Sequence, residues 1–193
     1  MKRWFGAAAL AMMVPAMAQA ASNEGVFAVK EAGRQTCETY IAERAEQSQA
    51  YVLFLGWIAG YISAHNKLSE ETLDITPWQS TRLLASMLNK YCETHGEVLF
   101  VRAVGAMLEA FEPTRLRGNP EMVEAKSGDT VIPIYREILR RAQQGLTELG
   151  HYRGEHDGLY SPETVEALVA YQREKGIKET GLPDQSTLIR LFK

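Results

Sequence analysis

Apolar residues recur at helical intervals along two stretches of this chain, about 27–111 and about 131–193. In the first, Cys37, Tyr40, Ile41 and Arg44 share one helical face. Ala50 to Ala64 is apolar nearly all round, which predicts a helix buried on most sides, with Gly56 and Gly60 letting neighbouring helices approach closely. Next, Thr76 reads as an N-cap, Pro77 as the first helical position and Gln79 as the closing partner of a capping box. Leu83, Leu84, Met87, Leu88 and Tyr91 follow as the buried stripe of that third helix. A fourth is expected from Glu97 to Phe111, through Phe100, Val101, Val104, Met107 and Leu108.

The stretch 112–130, EPTRLRGNPEMVEAKSGDT, is rich in charge, proline and glycine and shows no helical stripe. It reads as a polar linker that would span roughly 20–25 Å if flexible; the alternative is an ordered excursion packed on a single compact domain. Beyond it, Leu139, Gln143, Leu146 and Leu149 lie at helical spacing and Gly150 ends the helix. A turn-rich loop through Gly158 leads to Ser161-Pro162-Glu163, a cap followed by a first-turn proline. That second helix runs to Gly176, and a turn at Thr180–Asp184 opens a short third one holding Leu188 and Leu191. The expected fold class is all-α: a four-helix bundle at 27–111, a linker at 112–130 and a three-helix domain at 131–193.

The first twenty residues join Lys2 and Arg3 to an uncharged stretch, Trp4 to Ala18, and a small-x-small site, Ala18-Gln19-Ala20. These are the parts of a secretory signal peptide, with cleavage expected after Ala20 or, as competitor, after Ala18. An N-terminal anchor is the lesser reading, since the stretch is short for a span. Losing Lys2 and Arg3 would take the net charge from −3 to −5. Residues 21–130 hold ten Lys and Arg against fifteen Asp and Glu, while 131–193 holds nine of each. No basic field exists to grip a phosphate backbone, which argues against nucleic-acid binding. Cys37 and Cys92 are the chain's two cysteines. In an exported protein they are expected to pair, tying the first helix of the bundle to the end of the third. That pairing also argues against Ala50–Ala64 as a membrane span, because a span would separate the two thiols.

The C-terminal string, Gln143, Leu146, Leu149, Gly150, Tyr152, Gly154, Asp157, Gly158, Thr164, Ala167, Leu168, Gln172, Thr180, Gly181, Asp184 and Thr187, resembles the bacterial peptidoglycan-binding-domain-like family. His151 replaces a usual tyrosine and Tyr171 a usual phenylalanine. The resemblance implies a non-catalytic module that binds cell-wall peptidoglycan. Most of the matching residues read as architecture, with Asp157 and Gln172 satisfying loop amides. The candidate ligand-binding residues are Tyr152, Arg153, Tyr160 and Arg173, each of which reads equally well as an ordinary surface residue. Cys37, Trp57, Gly60, Tyr61, Ser63, Asn66 and Tyr91-Cys92 give the N-terminal part a looser resemblance to periplasmic HdeA-type acid chaperones and to Tai-type immunity proteins. Neither resemblance carries an activity over residue by residue.

No catalytic motif stands out. The chain has no HExxH and no cysteine in a His- or Gly-rich setting, and residues 21–130 hold no Ser-x-x-Lys pair. No catalytic residue, cofactor or metal site is therefore expected; His151, His156 and Asp157 are too irregularly spaced for a metal centre. The leading expectation is an exported, non-enzymatic protein that binds peptidoglycan and presents its helical bundle to a protein partner. The alternatives are a wall-anchored acid-stress chaperone, suggested by the acidic surplus of 21–130, and a peptidoglycan hydrolase or its accessory factor.

Overall fold

The computed structural model describes residues 26–192, so the expected signal peptide lies outside the described residues. Within them the chain forms α1 (Cys37–Ala45), α2 (Gln49–Leu68), α3 (Thr81–Cys92) and α4 (Phe100–Phe111). After these come β1 (Met122–Ser127), β2 (Thr130–Tyr135), α5 (Arg136–Glu148), α6 (Pro162–Glu174) and α7 (Gln185–Leu191). The fold is mostly helical, and the two strands are the correction to an all-α expectation.

Helices α1–α4 close around one apolar cluster in which Tyr40, Phe54 and Phe100 pack ring on ring, with centroids 4.6–5.2 Å apart. The Tyr40 hydroxyl donates to the Ala85 carbonyl at 2.6 Å, and burial pushes its pKa well above the ordinary phenol value. Cys37 and Cys92, both fully buried, form the expected disulfide at an S–S distance of 2.04 Å.

Two local readings are corrected. Helix α3 begins at Ser80, whose hydroxyl accepts from the Leu83 N–H, and not at Thr76. Thr76 is held instead by Asp74, whose Oδ1 accepts both its N–H and its hydroxyl, and Asn66 fastens the same turn through the Ile75 N–H. Helix α2 is buried along one side only, at Tyr51, Phe54, Ile58 and Ile62. Gly56 and Gly60 are exposed, and a Cβ added to either would touch nothing within 4 Å, so no internal helix contact uses them. Among the described residues no helix is long and apolar enough to cross a membrane.

The expected linker is structured. Leu116 pairs with Asp74 in an antiparallel bridge, its N–H donating to the Asp74 carbonyl at 2.8 Å. Strands β1 and β2 pair antiparallel through a two-residue turn at Gly128-Asp129, in register Val123 to Ile134 and Ala125 to Ile132. Glutamate and lysine alternate here with Val123 and Ala125, so the charged positions face water while the apolar ones turn inward. The inward face joins a cluster shared by segments before and after the hairpin. Leu116, Ile134, Ile138, Leu139 and Leu188 are buried there, with Leu73 and Trp78 packed against them. The Trp78 ring meets Phe192 edge-on at 5.7 Å, and Ser80 donates to the Gln185 side chain at 2.8 Å. Helices α5–α7 are thus packed against the rest of the chain, because the apolar residues on both sides of 112–130 bury one another.

Candidate functional site

Helices α5, α6 and α7 are joined by two glycine loops, and a buried glutamine closes each loop. Gln143 accepts the Gly158 N–H at 2.8 Å, and its Nε2 lies within hydrogen-bond distance of Asp157, the Leu159 carbonyl and Thr164. Gln172 repeats the arrangement: it accepts the Gly181 N–H at 2.9 Å, and its Nε2 reaches Thr180, the Leu182 carbonyl and Thr187. Both glutamines are fully buried. Each satisfies loop backbone groups that would otherwise lie unpaired in the interior. The sequence signal is a seven-residue string used twice, Gly158-Leu-Tyr-Ser-Pro-Glu-Thr164 and Gly181-Leu-Pro-Asp-Gln-Ser-Thr187. In each copy the fourth residue, Ser161 or Asp184, caps the next helix and the seventh faces the glutamine.

Acidic groups complete these loops. The Leu159 N–H and the Gln143 side chain hold the Asp157 carboxyl below the ordinary carboxylate range. Burial pushes the Asp184 carboxyl up, but hydrogen bonds from Ser186, Thr180 and Thr187 outweigh it and leave that group low as well. A carboxyl whose folded pKa is depressed stabilises the fold above its unfolded value, near about 4, and that stability drains away as pH falls through the folded value. Urea midpoints measured from pH 7 to pH 2 are expected to fall steeply below about pH 4. Asp184→Asn keeps a competent cap, so it should lower the neutral midpoint yet flatten the acid fall. An acid slope equal to that of the unaltered chain would remove Asp184 from this account.

The first loop and α6 enclose an open groove of about 420 Å³ between His151–Gly154 and Glu163, Glu166, Ala167 and Ala170. A Cβ on Gly154 would lie 2.6 Å from the Tyr152 hydroxyl and 2.7 Å from the Glu163 carboxylate, so the glycine lets that carboxylate close over the loop. Arg153 is exposed and, among the described residues, forms no ion pair; the same is true of Glu163 and Glu166. The groove therefore offers a cation and two anions at short range.

Residues 136–191 match the model of a family described as a peptidoglycan binding domain. They form a peptidoglycan-binding-like module. Among curated proteins, localization factor PodJL of Caulobacter vibrioides is 48% identical over 50 residues, which are 26% of this chain and 5% of that protein. N-acetylmuramoyl-L-alanine amidase CwlM of Mycobacterium tuberculosis is 37% identical over 60 residues, 31% of this chain and 15% of its own length. The chain thus spans a small part of each of these relatives. Among solved structures, SltB3 of Pseudomonas aeruginosa, in complex with NAG-anhNAM-pentapeptide, is 26% identical, with a TM-score of 0.31 over 58% of this chain and 26% of that one.

The four residues expected to bind ligand do not converge in the module. Tyr152 lines the groove but is only 5% exposed, because its ring turns inward and its hydroxyl donates to the Glu155 carbonyl at 2.9 Å. Arg153 stands at the groove. Tyr160 is half-buried away from it, donating to the Gly181 carbonyl at 2.8 Å, and burial raises its pKa. Arg173 is paired with Glu179 at 2.8 Å near the end of α6. His151 and His156 have separate partners, Glu174 and Thr147, each at 2.8 Å. Glu163 and Glu166, not among the expected ligand residues, also stand at the groove, where three-residue spacing places them on one side of α6.

Proposed function

We propose that this protein is an exported, non-catalytic peptidoglycan-binding protein, which grips the wall through the groove beside Arg153 and presents α1–α4 to a protein partner. The family match over 136–191 is the observation that carries this reading. The groove's chemistry sharpens it. With Tyr152 turned inward its ring face is not offered to a sugar, whereas Arg153, Glu163 and Glu166 suit the amines, carboxylates and amides of a peptide stem. Peptide stems are thus the wall element this reading favours. The amidase name of CwlM brings no chemistry to α1–α4, since the likeness covers 15% of that protein.

Retention of the chain from Ala21 on purified sacculi tests the proposal. Arg153→Glu is expected to weaken retention at least about tenfold, equivalent to about 1.4 kcal/mol. Arg173→Glu, away from the groove, should leave it unchanged. Equal retention of Arg153→Glu and the unaltered chain would reject the groove, and no retention of the unaltered chain would reject wall binding. Clearing of a peptidoglycan gel by the unaltered chain would overturn the non-catalytic part.

A further inference from the structure

Helix α2 has a second face that no described residue covers. Along it Gln49, Leu53, Gly56, Gly60, Ser63 and Lys67 recur at alternating intervals of four and three, the spacing of a coiled-coil seam. Beside that seam Val52 is 61% exposed, and Leu53 itself is 65% exposed. Helix α2 carries no Asp, Glu, Lys or Arg before Lys67, so this is no solvated charged face. Glycine is the poorest helix former after proline. Two glycines one turn apart, with open space above both, leave the backbone bare where another helix would come closest.

The charges around the seam select the occupant. A helix that lies on an anionic lipid surface flanks its apolar face with lysine and arginine. Here Glu43 and Glu46 precede the helix and Lys67 closes it. That polarity suits a second copy running the opposite way. In an antiparallel pairing centred on Ile58, Gly56 of each copy lies opposite Gly60 of the other, and the bulk of Leu53 meets the small Ser63. Lys67 then lies opposite Gln49, three residues after Glu46 at the end of α1. Neither Lys67 nor Glu46 holds an ion pair among the described residues. A parallel pairing would instead set lysine against lysine.

We propose that the open face of α2 is a homodimer interface in which two copies pair antiparallel through Leu53, Gly56, Gly60 and Ser63. The interface is self-complementary, as a two-fold contact requires. A single seam about 30 Å long is small for a stable interface, so the dimer is expected in the micromolar range. This deepens the presentation reading above by naming the partner of α1–α4 as a second copy.

Sedimentation of the chain from Ala21 between about 2 and 200 μM tests it, since a micromolar constant would be crossed in that range. The unaltered chain should pass from monomer to dimer. Gly60→Leu and Leu53→Lys should each raise the dissociation constant at least tenfold while unfolding at an unchanged or higher urea concentration, because both positions face open solvent. Lys67→Glu should weaken the dimer, and Glu46→Lys in the same chain should restore it. A monomer throughout, or a dimer indifferent to both Leu53→Lys and Gly60→Leu, overturns the proposal. Failure of the charge exchange to restore pairing overturns the antiparallel arrangement. Sedimentation with anionic vesicles that Leu53→Lys abolishes would assign the face to lipid instead. Sacculus retention is read at Arg153 and self-association at Leu53, so either reading fails without the other.

Discussion

Replacing Cys37 and Cys92 by alanine is expected to reduce the unfolding free energy by about 4 kcal/mol. The bond joins residues 55 apart in sequence. Holding so long a loop closed removes a large share of the unfolded chain's freedom, and in the chain-entropy model the effect grows with the logarithm of loop length. Little else should change in the native state. Both sulfurs lie inside the cluster of Tyr40, Phe54 and Phe100, where alanine keeps an apolar contact, and the Cys37 N–H still donates to the Val98 carbonyl. The loss should therefore appear in the urea midpoint with little change in the helical circular-dichroism signal of the folded protein. Reducing the unaltered chain with a thiol should reproduce the midpoint of the double variant. A shift equivalent to less than about 1 kcal/mol would show that the denatured chain is already compact around this loop.

Gly158→Ala is the single substitution expected to do most damage in the C-terminal helices, at about 3 kcal/mol. Two effects combine. Gly158 has φ +70°, a region an alanine enters at a penalty of about 1 kcal/mol. The added Cβ would also sit 2.3 Å from the Arg136 carbonyl oxygen, a backbone atom that cannot swing aside as a side chain can. Relieving that overlap must move the loop off α5, stretching the bond from the Gly158 N–H to Gln143, at a further penalty of about 1–3 kcal/mol. Gly176 separates the two effects, for it has φ +62° but open space where a Cβ would go. Gly176→Ala should lose only about 1 kcal/mol. Equal losses at both glycines, measured by urea denaturation, would show that backbone conformation alone matters and that the approach to Arg136 does not.

The helices were legible wherever one apolar stripe coincided with an unambiguous cap, as at Ser161-Pro162 and Asp184. At Thr76 the local signal misled. A threonine, a proline and a glutamine satisfy the capping pattern in sequence, but Thr76 is bonded to Asp74 two residues before it, and Asn66, brought alongside by the fold, fixes that turn through Asp74 and the Ile75 N–H. The strands were hidden by composition. Alternating glutamate and lysine reads as solvated linker until a second alternating run is seen to supply an inner face, and Val131-Ile-Pro-Ile134 is that run. The glutamine-closed loops are half visible in the sequence: Gln172 reads as serving loop amides, whereas Gln143 reads only as a position on the helical stripe of α5. Side-chain direction was least legible of all. Nothing in the letters around Tyr152 says that its ring turns inward toward Gln143, which leaves Arg153 to face the groove with Glu163 and Glu166.

The packing of Trp78 on Phe192 and of Leu116 under the hairpin bears on how the molecule would stand on a surface. A tethered bundle would sweep a hemisphere around its anchor and meet partners at any height and angle within reach. Clamped by a shared apolar cluster, this one keeps a single bearing relative to the Arg153 groove. Whatever fixes that groove also sets the direction in which the bare side of α2 points.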